Sequence, residues 1–181
     1  MIPLDQRLAS VLVRPLAKTS VTPNQITAFS LVLSLGGAAL LAWDEGSARH
    51  WGAGIFLLSR FIDHMDGELA RLTGQTSRFG YFFDGIVGVI AYAALFIGMG
   101  IGLWRGGMEI WTLLLPIVAG IAITVNAVLQ FRMEATLDNP PPTYPSWGPF
   151  ELEDGVYLIG PIVWLGFLYP LFLVGCFGTI A

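Results

Sequence analysis

The sequence predicts an all-α integral membrane protein with six transmembrane helices, the last two short or kinked, preceded by an N-terminal amphipathic juxtamembrane helix. Of the 181 residues, 55% are hydrophobic and only 12% are charged, whereas soluble domains usually carry about 25% charged residues. The mean hydropathy is correspondingly high, at +0.69. Apolar stretches of about 20 residues, the length that crosses a bilayer, also recur between short polar turns. We expect them to form a single domain over residues 1–181.

The N-terminal segment, residues 1–22, has a pattern of its own. Between residues 4 and 20, apolar side chains recur at helical spacing and alternate with the cations Arg7, Arg14 and Lys18. Such a helix would lie on the membrane surface with its cations toward the lipid headgroups, although a solvated arm is the alternative. We expect no signal peptide, because the first residues lack a charged region followed by an apolar one.

Four apolar spans follow, and a polar turn ends each of the first three. The predicted spans cover residues 26–43, 51–72, 80–104 and 108–131. The turns are at 44–47, 73–77 and 105–107. Residues 132–155 are polar, acidic and rich in proline, which predicts a loop. Residues 156–181 are apolar but interrupted by prolines and a glycine, so they form either one kinked span or two short helices.

The cations orient these spans, because cytoplasmic loops carry an excess of Lys and Arg. With the N-terminus in the cytoplasm, only Arg49 and Arg105 fall outside, and Arg60 lies within a span. The sequence therefore predicts a multi-pass protein of the cell (inner) membrane. The 73–77 turn and the 132–155 loop would both lie on its cytoplasmic face.

Several charged residues lie within the second and third spans, where a charge costs about 2.5–3.5 kcal/mol at the bilayer centre. At about 100° per residue, one face of the second span carries Asp63, Asp66, Gly67, Ala70 and Arg71. Another stripe, on the third span, carries Gly80, Asp84 and Gly88. Because the 73–77 turn makes the two helices neighbours, we expect the three aspartates to converge.

Carboxylate oxygens without a histidine or thiolate cluster favour Mg²⁺, Mn²⁺ or Ca²⁺. Gly67 and Ala70 leave room beside the helix, and Arg71 is suited to a phosphate. This face therefore suggests a pyrophosphate or a phosphate ester as ligand. Two alternatives stay open at this point. One is a buried ion-pair network between the aspartates and Arg60, Arg71 and Arg78, and the other is a proton or ion relay in a small ion-coupled transporter.

These residues resemble the signature of the CDP-alcohol phosphatidyltransferase family (class I). That signature is D-x2-D-G-x2-A-R, eight or nine residues, then G-x3-D-x3-D. The matching positions here, within residues 60–88, are Asp63, Asp66, Gly67, Ala70, Arg71, Gly80 and Asp84. The resemblance implies six transmembrane helices, a juxtamembrane helix and a homodimer. It also implies transfer of a phosphatidyl-type group in phospholipid synthesis, from a CDP-linked donor such as CDP-diacylglycerol to an alcohol, with release of CMP.

The resemblance also implies roles for single residues. Asp63, Asp66 and Asp84 would hold two divalent metals, Mg²⁺ or Mn²⁺, on the donor pyrophosphate. The cytidine nucleotide would be lined by Asp66, Gly67, Ala70, Arg71 and Gly80.

The chain departs from the signature at its last position, where Gly88 replaces an aspartate. By the resemblance, that aspartate is the general base on the acceptor hydroxyl. Three interpretations are open. The base comes from elsewhere in the chain, the acceptor needs no base, or the protein is a non-catalytic relative that binds a nucleotide or lipid. Asp84 with Glu153 or Asp154 is the expected catalytic set, and Glu151 lies beside the latter two.

Glu68 and His64 are weaker candidates for the missing base. Glu68 is expected to point past the site, and His64 to pack at a helix interface.

The acceptor is predicted from the distribution of cations. No Lys or Arg follows Arg132, so a phosphorylated acceptor would have few partners beyond Arg78 and Arg132. We therefore expect a neutral polyol, an amino alcohol or a lipid alcohol as acceptor. The acidic residues 151–154 would tolerate an ammonium group. Membrane lipids are the expected surroundings, and nothing in the sequence suggests nucleic acid.

Overall fold

A computed structural model describes residues 10–43, 45–136, 146–147 and 150–180, without the side chains of 146–147 and 150–154. The helices of this part are α1 (Pro23–Trp43), α2 (Ala48–Thr73), α3 (Arg78–Arg105), α4 (Trp111–Thr136), α5 (Ile159–Trp164) and α6 (Leu168–Ile180). A short antiparallel pair, β1 (Ser146–Trp147) and β2 (Phe150–Glu151), and a 3-10 helix, Leu152–Leu158, separate α4 from α5. The predicted all-α class is confirmed, since the only strands described are two residues long.

The helix bounds agree with the predicted spans, with one correction. The loop predicted from residue 132 begins later, because α4 continues to Thr136. Arg132, Met133, Glu134 and Ala135 do not break a helix. The last segment forms two helices, α5 and α6, rather than one kinked span. Gly166 lies in the turn between them with a φ of 86°, a conformation that glycine adopts most easily.

The N-terminal segment is not one continuous helix where it is described. Residues 10–13 are helical, a turn follows, and Leu16–Lys18 form a 3-10 helix. Pro15 lies in that turn and has no backbone N–H to continue the α-helical ladder. Val13 is fully buried and belongs to a small core with Ile26 and Leu69. The segment therefore packs on α1 and α2. The part of the prediction before residue 10 lies outside the described residues.

Helix α1 packs against both α2 and α3 and forms the centre of the fold. A side-chain Cβ built at Gly37 of α1 would lie 2.8 Å from the carbonyl oxygen of Gly52 in α2. The two backbones thus touch, as is common where small residues face each other between membrane helices. Helix α4 packs on α3, α5 on α2, and α6 on α3 and α4.

The helix surfaces are those of a membrane protein. Helices α1, α3 and α4 are each long and apolar enough to cross a bilayer, and exposed side chains such as Val32, Ile121 and Val174 are apolar. Helix α2 has similar length but carries charged residues, among them Arg60, Asp63 and Asp66, and α5 and α6 are shorter. The number of six spans therefore stays a prediction.

The turn between α2 and α3 determines the position of the charged residues. Gly74 ends α2 in the left-handed conformation, with a φ of 68°, and its N–H donates to the carbonyl of Ala70. The Ser77 hydroxyl caps α3 by accepting a hydrogen bond from the Gly80 amide at 3.0 Å. This short, capped turn brings the end of α2 beside the start of α3.

Candidate functional site

Three aspartates meet where α2 and α3 adjoin. Asp63 and Asp66 come from α2 and Asp84 from α3, and each offers an oxygen atom within 4.8 Å of those of the other two. Asp66 is only 7% exposed. The two helices therefore bring together the carboxylates that were predicted to converge.

Two hydroxyl groups of α1 hold the α2 carboxylates in place. The Ser30 hydroxyl donates to Oδ1 of Asp63 at 2.7 Å, and the Thr27 hydroxyl donates to Oδ2 of Asp66. Both residues are buried. Sequence reasoning missed them, although a Thr and a Ser three residues apart in an apolar span are a detectable signal.

Arg60 places a cation beside the same carboxylates. Its Nη1 lies 3.1 Å from Oδ2 of Asp63, and its Nη2 donates to the Ser34 hydroxyl at 3.2 Å. The guanidinium carbon lies 5.8 Å and 5.6 Å from the ring centroids of Phe56 and Tyr92. Arg60 is 4% exposed, and its Nε has no hydrogen-bond partner within the described part of the chain.

The ion-pair alternative thus describes only part of this cluster. Arg60 does pair with Asp63, but Arg71 pairs with Glu68, at 2.7 Å between Nη2 and Oε1. The Arg71 side chain is 60% exposed, so its charge is accessible to a ligand.

The donor set of the cluster fits a divalent cation. Mg²⁺ binds oxygen ligands at about 2.0–2.1 Å, so two ligands on opposite sides of one ion lie about 4 Å apart. The aspartate oxygens are close to that separation. Ser30 and Thr27 donate one hydrogen bond each to Asp63 and Asp66, whereas an ionised carboxylate has about four acceptor sites.

A cavity of about 310 Å³ opens at two of the aspartates, Asp66 and Asp84. This volume lies in the range of small-ligand sites. Its walls are formed by α1, by the ends of α2 and α3 and by their turn. The lining residues are Pro23, Asn24, Thr27, Asp66, Gly67, Ala70, Arg71, Gln75, Thr76, Ser77, Gly80, Tyr81 and Asp84. All the residues predicted to line a nucleotide are among them.

The small residues of this cavity are close to polar groups. The guanidinium of Arg71 lies 3.8 Å from the position of a Cβ at Gly67. A Cβ at Gly80 would lie 3.1 Å from Oγ of Ser77 and 3.2 Å from Oδ1 of Asn24. Asn24, like Gln75 and Thr76, was not predicted as a lining residue.

Gly88 lies one helical turn beyond Asp84. A Cβ there would meet no described atom within 4 Å, so the backbone leaves room for the aspartate of the signature. Of the other candidate bases, Glu68 is engaged with Arg71. The His64 ring packs against Tyr157 at 6.3 Å between centroids. The side chains of Glu151, Glu153 and Asp154 lie outside the described residues.

The two arginines assigned to the acceptor differ in position. Arg78 lines a second cavity of about 400 Å³, between the start of α3 and the end of α4. Arg132 is exposed and is among the lining residues of neither cavity.

Comparison with known proteins finds a matching family model and related structures. A family model described as CDP-alcohol phosphatidyltransferase matches residues 20–178. The archaetidylinositol phosphate synthase of Pyrococcus horikoshii is 33% identical over 90 residues, which cover 49% of this chain and 46% of that protein. The matched part is thus less than half the length of this curated relative.

Solved structures of the phosphatidylinositol phosphate synthase of Mycobacterium tuberculosis share the fold. The form with CDP-DAG bound has a TM-score of 0.72 at 21% identity, covering 96% of this chain and 86% of that one. The form in complex with manganese and citrate has a TM-score of 0.58 at 20% identity, covering 98% and 92% of the two chains.

Proposed function

The chain belongs to the CDP-alcohol phosphatidyltransferase family, and from this premise we propose that it transfers a phosphatidyl-type group from a CDP-linked donor to an acceptor alcohol, with release of CMP. CDP-diacylglycerol is the proposed donor, and phospholipid synthesis the proposed process. The observation that carries the proposal is the convergence of Asp63, Asp66 and Asp84 at a cavity lined by Gly67, Ala70, Arg71 and Gly80.

Asp63, Asp66 and Asp84 are the proposed ligands of the metal, Mg²⁺ or Mn²⁺, with two ions per site. Bound divalent ions would neutralise the pyrophosphate oxygens and stabilise CMP as a leaving group. Thr27 and Ser30 orient the carboxylates, since each donates a hydrogen bond to one of them. That the related M. tuberculosis enzyme was solved with manganese supports this choice of metal.

The cavity beside the aspartates is the proposed nucleotide site. Asp66, Gly67, Ala70, Arg71 and Gly80 would line the cytidine nucleotide, with the exposed guanidinium of Arg71 beside the phosphates. The bare backbone at Gly67 and Gly80 allows a ligand to lie against the helices. The M. tuberculosis structure with CDP-DAG bound supports this type of donor.

The proposed reaction is a displacement at phosphorus. The acceptor hydroxyl oxygen bonds to the phosphorus next to the lipid, the bond from that phosphorus to CMP breaks, and a carboxylate takes the hydroxyl proton. Asp84, with Glu153 or Asp154, is the proposed catalytic set in place of the aspartate missing at Gly88. Arg78 and Arg132 are the proposed contacts of the acceptor.

The site is proposed to face the cytoplasm in a multi-pass protein of the cell (inner) membrane. The whole chain, residues 1–181, is proposed as one domain, and a homodimer as the assembly. A neutral polyol, an amino alcohol or a lipid alcohol is the proposed acceptor.

The test is metal-dependent binding of CDP-diacylglycerol and of CMP to the purified full chain, in Mn²⁺ and in chelator. We expect binding in Mn²⁺, with a loss of about 100-fold or more in the Asp66→Asn variant, because a ligand of the metal is removed. Glu109→Gln is the matched control, since Glu109 lies exposed in the turn between α3 and α4. Its binding is expected to equal that of the wild type.

Two results would contradict the proposal. If the donor does not bind under any metal condition, the aspartates would instead form an ion-pair network or a proton or ion relay. Donor binding without CMP release for any acceptor, corrected by Gly88→Asp, would instead identify a binding protein that lacks its base. The open space around Gly88 makes that substitution a fair test.

A further inference from the structure

The second cavity lies outside the proposed metal and nucleotide site, although Arg78, a candidate for contact with the acceptor, lines it. It has a volume of about 400 Å³ and is lined by the turn before α3, the first turns of α3 and the end of α4. Its lining residues are Thr76, Ser77, Arg78, Tyr81, Phe82, Phe131, Glu134 and Ala135. The lining residues include none of the proposed metal ligands and none of the residues proposed to contact the nucleotide.

Three aromatic rings in this cavity contact one another. The ring centroids of Phe82 and Phe131 are 5.1 Å apart, and Tyr81 lies 5.5 Å from Phe131 and 5.6 Å from Phe82. Gly85 makes the arrangement possible, because a Cβ there would lie 2.4 Å from Cζ of Phe131. Because Gly85 has no side chain, the ring of Phe131 can pack against its backbone.

Glu134 adds a carboxylate to the rings. The Tyr81 hydroxyl donates to its Oε2, and the Gln130 amide donates to its Oε1 at 2.7 Å. An ionised carboxylate has about four acceptor sites, so these two bonds fix the group and leave acceptor capacity for a ligand. A carboxylate among aromatic rings is the environment that binds an ammonium group, through charge and cation–π attraction.

This cavity adjoins the proposed nucleotide site. Thr76, Ser77 and Tyr81 line both cavities and form the wall between them. Tyr81 precedes Asp84 by three residues on α3, which is about 4.5 Å along the helix axis. The two cavities therefore share a wall on the stretch of α3 that also carries Asp84.

We infer that the second cavity binds the acceptor, and that the acceptor is an amino alcohol whose ammonium group lies against Glu134 and the three rings. That the bound amino alcohol acts as the acceptor rests on the proposed function. That the cavity binds an amine does not depend on it. Glu134 and the rings then determine acceptor specificity.

The distribution of cations favours this class of acceptor. No Lys or Arg follows Arg132 in the sequence, and Arg78 is the one cation among the residues that line this cavity. A phosphorylated polyol would place its phosphate near Glu134 and be repelled. Arg78 would suit the carboxylate of an amino alcohol such as serine.

A binding measurement tests the amine site without any need for turnover. The probes are ethanolamine and ethylene glycol, which differ only in the ammonium group, in saturation-transfer NMR on the full chain in nanodiscs with Mg²⁺ and CMP. We expect a signal for ethanolamine that is at least about fivefold stronger than for ethylene glycol, and loss of this difference in Glu134→Gln. Glu109→Gln is the control and should keep the difference.

Two further variants separate binding from folding. Glu134→Asp keeps the charge and should keep part of the preference for ethanolamine. If Glu134→Gln fails to fold, Phe82→Leu removes one ring and should weaken ethanolamine binding alone. Equal signals for the two probes in the wild type, or an unchanged preference in Glu134→Gln, would overturn the inference.

Transfer then tests the acceptor role. With CDP-diacylglycerol and Mn²⁺, we expect CMP release with ethanolamine or serine, and at least about tenfold less with ethylene glycol or glycerol 3-phosphate. Donor binding is measured on the same samples. CMP release with only the uncharged or phosphorylated alcohol refutes this inference and leaves the proposed function intact. Absence of donor binding refutes the proposed function and with it the acceptor role.

Discussion

Arg60 lies inside α2 with its guanidinium beside two aromatic rings and 3.1 Å from a carboxylate oxygen of Asp63. A buried charge of this kind is stable only when it is paired and hydrogen-bonded. The three aspartates and Arg60 carry a formal charge of −2 when all are ionised. Arg60 therefore offsets part of the mutual repulsion of the aspartates and still leaves the cluster attractive to a divalent cation.

Substitution of Arg60 by Met should destabilise the protein more in chelator than in Mn²⁺. Removal of the guanidinium leaves the Asp63 carboxylate without its buried cation, and such a loss costs about 3–5 kcal/mol of stability. A bound Mn²⁺ would replace part of the missing positive charge. The measurement is the shift in thermal unfolding midpoint under the two conditions. Arg105→Met is the matched control, because Arg105 pairs with Glu45 on an exposed surface, where such pairs contribute about 0–1 kcal/mol.

An equal shift for Arg60→Met in chelator and in Mn²⁺ would show that metal and arginine do not share the same carboxylates.

At the scale of helices, the contact between α1 and α2 sets the position of the hydroxyls that hold the aspartates. Gly37 faces the α2 backbone, where its Cβ would lie 2.8 Å from the Gly52 oxygen and 2.9 Å from the Phe56 nitrogen. The neighbouring Gly36 faces open space, because a Cβ built there would have no described neighbour within 4 Å. Thr27 and Ser30 belong to the same helix, so a shift of α1 would also move them.

The adjacent glycines give a matched pair of variants. Gly37→Ala should lower the free energy of unfolding by about 1–3 kcal/mol, because backbone atoms cannot move aside as a flexible side chain can. Gly36→Ala should be neutral or raise it by up to about 1 kcal/mol, since Ala has the higher helix propensity. Thermal unfolding gives the stability, and Mn²⁺-dependent CMP binding shows whether the site moves with α1.

Similar midpoints for the two variants would mean that α1 and α2 do not touch at Gly37. A destabilised Gly37→Ala with normal CMP binding would separate the helix contact from the site.

Helical spacing explains why part of this site could be predicted from the sequence. Asp63 and Asp66 share a helix face, and a four-residue turn, 74–77, brings Asp84 to them, so local geometry fixes the cluster. The hydrogen bond from Thr27 to Asp66 joins residues 39 positions apart, and that from Tyr81 to Glu134 joins residues 53 apart. Such contacts depend on how the helices pack, which periodicity does not reveal.

For the whole molecule, the positions of the cations at the helix ends predict an orientation in the bilayer. The turn between α2 and α3 carries the site, and the turns between α1 and α2 and between α3 and α4 lie at the opposite ends of these helices. Arg71 and Arg78 flank the first of these turns. Because Lys and Arg prefer the cytoplasmic side, we propose that this end of the helices faces the cytoplasm.

Cysteine labelling tests this orientation on the whole protein. The single native cysteine, Cys176, is fully buried and should not react with a membrane-impermeant maleimide, so the wild type serves as the blank. Ser47→Cys, between α1 and α2, should be labelled in intact cells if this end of the helices faces outward, as proposed. Thr76→Cys, in the turn that carries the site, should be labelled only in inside-out vesicles. The reverse pattern would place the aspartate cluster on the outer face, where a cytoplasmic CDP-linked donor cannot reach it.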